Sequence, residues 1–170
     1  MTLHYVWTCS CCGKQFNTLP LDWACPAPDY WLDIPDADRG GRGVLSSDFC
    51  TADEHYFIRG CLEIPIIGAG ERLVWGAWLS QSEASFQRAK ELFEGDPEPD
   101  EPARFGWLSN DLRIYRPSTL NLKANAHFRT GNRRPFIEVQ PTDHPLAIEQ
   151  RNGIMLERVR EIVEAMMPRH

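Results

Sequence analysis

The chain has 170 residues, 42% hydrophobic and 25% charged, values of a folded protein long enough to build a proper core. A net charge of −6 argues against nucleic acid as a partner, because backbone binding needs clustered Lys and Arg. No apolar run approaches the roughly 20 residues of a membrane helix and no charged-then-apolar leader opens the chain, so no membrane association and a cytoplasmic location are expected.

Residues His4 to Thr8 alternate and carry Tyr5, Val6 and Trp7, which predicts a short strand. It runs into Cys9-Ser10-Cys11-Cys12-Gly13. A Cys-x-x-Cys pair followed by Gly has the shape of a metal knuckle, since Gly permits the positive φ that brings backbone N–H groups towards the second sulfur. A structural zinc needs four ligands. Cys9 and Cys12 supply two, and Cys50, after the polar Ser46-Ser47-Asp48 run, is the best third. The fourth stays open among Cys25, Cys61, His55, Asp48 and Cys11. A redox pair would open a helix after a buried strand, and no helical pattern continues past Gly13. Disulfides among the six cysteines are not expected in a reducing cytosol.

The segment from Leu19 to Trp31 holds Pro20, Pro26 and Pro28, so an extended coil is predicted, with Trp23, Tyr30 and Trp31 plugging the core. Asp36 to Gly43 reads as a surface loop. It is no phosphate loop, lacking a following Lys-Ser/Thr. Tyr56 to Ile67 and Leu73 to Ser80 form an antiparallel hairpin around Gly68-Ala69-Gly70. Ser80 to Glu83 reads as a capping box for a helix that runs to about Glu94 and stops at Gly95. Glu94 to Pro102, acidic and proline-rich, reads as a solvated linker. A second hairpin pairs Leu120–Arg129 with Pro135–Gln140, and a last helix spans about Gly153 to Met167 on the stripe Met155, Val159, Ile162, Val163 and Met166. The expected fold is α+β: a mostly antiparallel sheet from two hairpins packed with two helices, behind an N-terminal zinc-knuckle-like segment. One domain covers 1–170, with knuckle and coil over 1–55 and the α+β core over 56–170.

Asp143 and His144, held between Pro141 and Pro145, suggest an acid/base pair, but Thr142 or Asp143 capping a helix from Pro145 is the favoured reading. Lys123, Asn125, His127 and Arg129, with Glu138 and Gln140 opposite and Arg59 and Glu63 nearby, form either a groove for an anionic or peptide ligand or a watered sheet face.

At Leu19-Pro20-Leu21-Asp22-Trp23, Phe57-Ile58-Arg59-Gly60, Leu62-Glu63-Ile64-Pro65-Ile66, Val74-Trp75-Gly76 and Phe105-Gly106-Trp107-Leu108 the chain resembles a bacterial family of uncharacterised proteins, a domain of unknown function. Pro141-Thr142-Asp143-His144-Pro145-Leu146-Ala147 and Gln150-Arg151-Asn152-Gly153-Ile154 extend the likeness over nearly the whole length. The resemblance implies that Cys9, Cys12, Gly13 and Cys50 match the family pattern, that Cys11, Cys25 and Cys61 are additions, and that relatives carry His where this chain has Phe16. It implies no activity.

The leading expectation is a structural-zinc-containing binding or interaction module, extending to a protective protein partner for a basic toxin or nuclease. The alternative is a small-molecule hydrolase or transferase in which Asp143, His144, Glu138 or His127 moves protons. The oligomeric state stays open.

Overall fold

The computed structural model describes residues 1–168. Strands β1 (Thr2–Thr8) and β2 (Gln15–Pro20) form an antiparallel hairpin separate from the main sheet, in register from Thr2↔Pro20 to Thr8↔Gln15. A two-stranded ribbon is marginal alone. This one is held because Trp7 and Leu19 are buried in the main core and the Leu21 N–H closes onto the Met1 carbonyl at 2.9 Å.

The chain then forms β3 (Asp22–Ala24), helices α1 (Asp29–Asp33) and α2 (Asp36–Arg42), β4 (Gly43–Leu45) and β5 (Phe49–Ala52). The expected coil from Leu19 to Trp31 thus supplies a strand and a helix. Pro28 and Pro35 occupy the caps immediately before α1 and α2, where a missing N–H costs nothing. The expected loop at 36–43 is helix because Asp36 and Asp38 lie in its first turn and Arg39 and Arg42 in its last, matching the helix dipole. Gly40 and Gly41 hide that pattern in the sequence.

Next come β6 (His55–Pro65), β7 (Arg72–Gln81), α3 (Glu83–Phe93), β8 (Arg104–Trp107), β9 (Lys123–His127), β10 (Phe136–Val139), α4 (Pro145–Asn152) and α5 (Leu156–Met166). The fold is α+β. Its sheet is mostly antiparallel, as expected, but mixed and larger than two hairpins: eight strands, with the path β3-β7-β6-β10-β9-β8, β5 attached to β6 and β4 to β5. β3 runs parallel to β7, and β10 meets β6 in parallel at Phe136↔Cys61. The β6–β7 hairpin, paired from Tyr56↔Gln81 to Pro65↔Arg72, is the centre.

The sheet curls until its far end returns to β7. Leu108 bridges antiparallel to Leu79, and the Ser109 N–H donates to the Trp78 carbonyl at 2.8 Å. Strand alternation gives β6 and β7 two apolar faces. One joins Leu62, Ile64, Leu73, Trp75 and Leu79 to α4 and α5, and the other packs Phe57 and Trp78 on Trp31, Ile34 and Cys50. Asn110, nearly fully buried, locks the second face: its Oδ1 accepts the Trp78 N–H and its Nδ2 donates to the Ala27 carbonyl, both at 2.8 Å.

Three local expectations shift. Ser82 rather than Ser80 caps α3, accepting the Ser85 N–H at 3.2 Å, while the Ser80 hydroxyl accepts the Trp107 N–H. β9 is shorter than Leu120–Arg129. Its buried pair is Ala124 and Ala126, and Leu120 is exposed beside Asn121 at φ 66. The acidic linker is pinned by Glu101, whose nearly enclosed carboxylate pairs with Arg88 at 2.6 Å and Arg104 at 3.2 Å.

Hydrogen bonding from Arg88, then from Arg104, holds Glu101 at about 2 against the opposing effect of burial. A carboxyl with a lowered folded-state pKa stabilises above its unfolded value and loses that contribution as pH falls through the folded value. Glu101→Gln should therefore melt below the wild type by a constant margin above pH ~5, and the margin should shrink towards pH ~2. Melting curves across that range check it, and a margin that grows on acidification would refute the pairing.

Candidate metal centre

The tip of the β1–β2 hairpin is the cysteine segment. The Gly13 N–H returns to the Cys9 carbonyl and the Cys9 N–H donates to the Lys14 carbonyl, each at 2.9 Å. Gly13 takes φ 70, the left-handed value that a side chain disfavours, and so closes the turn. The closure gathers the sulfurs of Cys9, Cys11 and Cys12 within 4.8 Å of one another, with Cys9 and Cys11 at 3.0 Å. Tetrahedral zinc at ~2.3 Å from each sulfur requires sulfurs ~3.8 Å apart, within reach of this arrangement by small side-chain rotations.

Cys9 is buried and its neighbours are exposed. The Cys9 thiol is drawn below its ordinary value by the Cys11 thiol first, then by the N–H groups of Cys11 and Cys12, against burial. Cys11 is pushed up to about 11, chiefly by its bond to Cys9. Cys9 thus carries negative charge more readily than Cys11, and N–H···S bonds to the first thiolate are what a metal knuckle provides. A group of three such sulfurs can hold a metal ion.

Beside the sulfurs lies an open cleft lined by Phe16, by Glu161, Glu164 and Ala165 of α5, and by Met167 just beyond it. Glu164 reaches the turn itself, accepting the Ser10 N–H, and its other oxygen accepts from Arg160 at 3.2 Å. The Ser10 N–H, with a further bond involving Cys9, holds the Glu164 carboxyl below the usual range. No spacing rule links residue 164 to residue 9. The one visible signal is that Glu157, Glu161 and Glu164 share the polar side of the stripe that buries Val159, Ile162 and Val163.

The structure brings Cys9 and Cys12 together, with Cys11 as their companion, and does not bring Cys50 to them. Cys50 lies in β5, opposite Leu45 and Phe57, and is 1% exposed. It packs against Ala27, Trp31 and Trp78, and burial pushes its thiol up to about 12. Asp48 pairs with Arg134 at 2.6 Å, and His55 stacks edge-on against Tyr30. Cys25 and Cys61 are half-buried, and burial raises both thiols. Among the described residues the sulfur group contains no histidine or carboxylate.

The acid/base candidates are spent elsewhere or splayed. His144 itself caps α4: its Nδ1 accepts the Leu146 N–H at 3.1 Å and its Nε2 donates to the Pro117 carbonyl at 2.7 Å. The expected caps, Thr142 and Asp143, stand one step back, with the Thr142 hydroxyl accepting the His144 N–H. Asp143 is exposed. His127 and Glu138 form an exposed cross-strand pair at 3.3 Å. Glu149 and Gln150 are structural too. Glu149 accepts from Tyr115 and Arg158, while Gln150 bonds the Val139 N–H and the Ile137 carbonyl along β10.

Fold and site define an α+β protein with a three-cysteine turn set against its last helix. The chain belongs to the family described as an uncharacterized protein conserved in bacteria (DUF2199), which it matches over residues 8–154. The matched span contains the three cysteines and ends just before α5. No curated protein and no solved structure matches the chain. Among the described residues, no helix is long and apolar enough to cross a membrane.

Proposed function

We propose that the chain is a cytoplasmic binding module whose Cys9, Cys11 and Cys12 hold a structural zinc ion, with Glu164 as fourth donor. The observation that carries this reading is the convergence of three sulfurs on a turn that a helix carboxylate already grips. Thiolates are soft donors and favour zinc over the hard cations, and zinc accepts whatever tetrahedral geometry the chain supplies. The ion fastens a marginal two-stranded ribbon to the C-terminal helix, which is a clasp's work rather than a catalyst's. A binding role fits the capped His144 and the exposed His127–Glu138 pair, neither of which is arranged for proton transfer.

Elemental analysis of protein purified without chelators tests the site. One zinc per chain is expected, with Glu164→Gln weakening its retention by about tenfold to a hundredfold, as loss of a donor or its support does. Metal-free protein with a Cys9–Cys12 disulfide by mass spectrometry would replace this reading with a redox one. A basic protein partner of the toxin or nuclease kind is supported by the net charge of −6 alone. Salt-sensitive co-purification of such a protein checks it, and recovery of none at low salt counts against it.

A further inference from the structure

Where β8 comes round to β7, the sheet leaves a cavity of about 360 Å³ against α1. One side is a group of rings: Tyr30 meets His55 edge-on at 4.7 Å between centroids and tilts towards Phe57 at 6.3 Å. Trp107 lines the cavity from β8. Ser80 joins the two sides, since it pairs with Phe57 across the hairpin and its hydroxyl accepts the Trp107 N–H at 3.0 Å. Leu120, kept out of the core where Asn121 turns the chain, adds apolar lining. Tyr30 and Trp107 are 37% and 42% exposed, so much aromatic surface is left open to a ligand.

The fixed charge around this cavity has one sign. Asp29 and Asp33 line it, and among the described residues no Lys or Arg does. Neutral groups hold Asp29: the Asn110 amide donates to it at 3.2 Å and the Asp111 N–H at 2.8 Å. Asp33 is exposed, at the end of a helix whose last turn carries no base. Asp53, outside the lining, is a different case. It accepts the Tyr30 hydroxyl at 2.6 Å and pairs with Arg42 at 2.6 Å, so it fixes the ring and adds no net charge. Lys123 sets its ammonium 5.8 Å from the Trp107 ring centre but is no part of the lining. Two carboxylates beside electron-rich ring faces, with no fixed cation between them, are complementary to a positive ligand.

We propose that this cavity binds a small organic cation carrying a trimethylammonium group, its methyls against the rings of Tyr30 and Trp107 and its charge offset by Asp29 and Asp33. Aromatic faces attract such a cation through their quadrupole, Trp most strongly, and the group asks for no hydrogen bond. A primary amine would need acceptors close around it, whereas both Asp29 oxygens are already engaged by Asn110 and Asp111. At about 360 Å³ the space falls at the small end of ligand pockets, which run ~300–1,000 Å³, and so suits a small molecule. The cavity shares no lining residue with the cysteine turn, so it stands apart from the metal reading.

Calorimetric titration of the intact chain with choline tests the site. One saturable site per chain is expected, at millimolar affinity or better and weakening as salt rises. The uncharged isostere 3,3-dimethylbutan-1-ol should bind far more weakly. Phosphocholine, whose phosphate would face the two acids, should also bind more weakly than choline. Trp107→Leu should weaken choline about tenfold, as loss of a cation–π face does. Asp33→Asn, on the surface, should weaken it about threefold at low salt and less at high salt. Circular dichroism checks the fold of each variant, and should Trp107→Leu not fold, Asp33→Asn decides alone. No saturable site, either analogue binding as tightly as choline, or affinity unchanged in the folded variants would overturn the proposal.

Discussion

Replacing Cys11 with serine is expected to strip the metal and lower the melting temperature by about 8–16 °C. The figure follows from linkage: a ligand present at a thousandfold above its dissociation constant stabilises by about 4 kcal/mol, and a chain of this size loses 2–4 °C per kcal/mol. Chelator added to the wild type should give the same fall, and should do nothing further to Cys11→Ser. Cys50→Ser supplies the contrast. Its hydroxyl would enter an apolar cluster with Trp31 and Trp78 and cost about 1–3 kcal/mol, yet the metal should stay at full occupancy. Calorimetry and elemental analysis on the three proteins separate a lost ligand from a disturbed core. Retention of zinc by Cys11→Ser, or its loss from Cys50→Ser, would move the site to the other cysteine.

Gly106→Ala is expected to be strongly damaging for a change of one methyl. Gly106 sits in β8 opposite Ala124, at the seam where the sheet comes round to β7. An added Cβ would lie 2.0 Å from the Ser80 carbonyl oxygen and 2.7 Å from the Leu79 side chain. A backbone oxygen in a strand cannot rotate away, so the seam must part. Overpacking of this kind costs about 3 kcal/mol, or roughly 6–12 °C here. Gly40→Ala in α2, where the new methyl meets nothing within 4 Å, should be neutral or gain about 0.5–1 kcal/mol from helix propensity. Urea unfolding of both variants measures the difference. If Gly106→Ala costs no more than Gly40→Ala, the sheet does not close at this seam.

What could be read in the sequence differs sharply from residue to residue. The β6–β7 hairpin is legible because alternation over Tyr56–Ile64 and the turn Gly68-Ala69-Gly70 are both local signals. The helix α2 is not, since Gly40 and Gly41 imitate a loop while Pro35 and the charge order around it favour a helix. The Cys-x-x-Cys-Gly turn is legible, including its left-handed glycine. Residue type and a place after a polar run put Cys50 in the expected ligand set, but neither says which face of which strand a cysteine occupies. In β5 it faces Trp31 and Trp78, and the sulfur that lies beside those of Cys9 and Cys12 is that of Cys11, within the turn itself. His144 shows the same limit from another side. Its neighbours predicted a cap nearby, but its own ring makes the cap, because Pro145 opens the helix and the Pro117 carbonyl holds the far nitrogen.

By itself the sequence determined the elements whose causes lie within a few residues: the central hairpin, the knuckle turn, the helix before Gly95 and the apolar stripe of the last helix. Only the tertiary structure decided which distant groups meet: Glu164 with Ser10, Leu108 with Leu79, and Arg134 with Asp48. Local order follows from backbone sterics and side-chain period, which act between neighbours. Those long-range meetings are set by how whole faces bury together, a property summed over the chain and carried by no single segment.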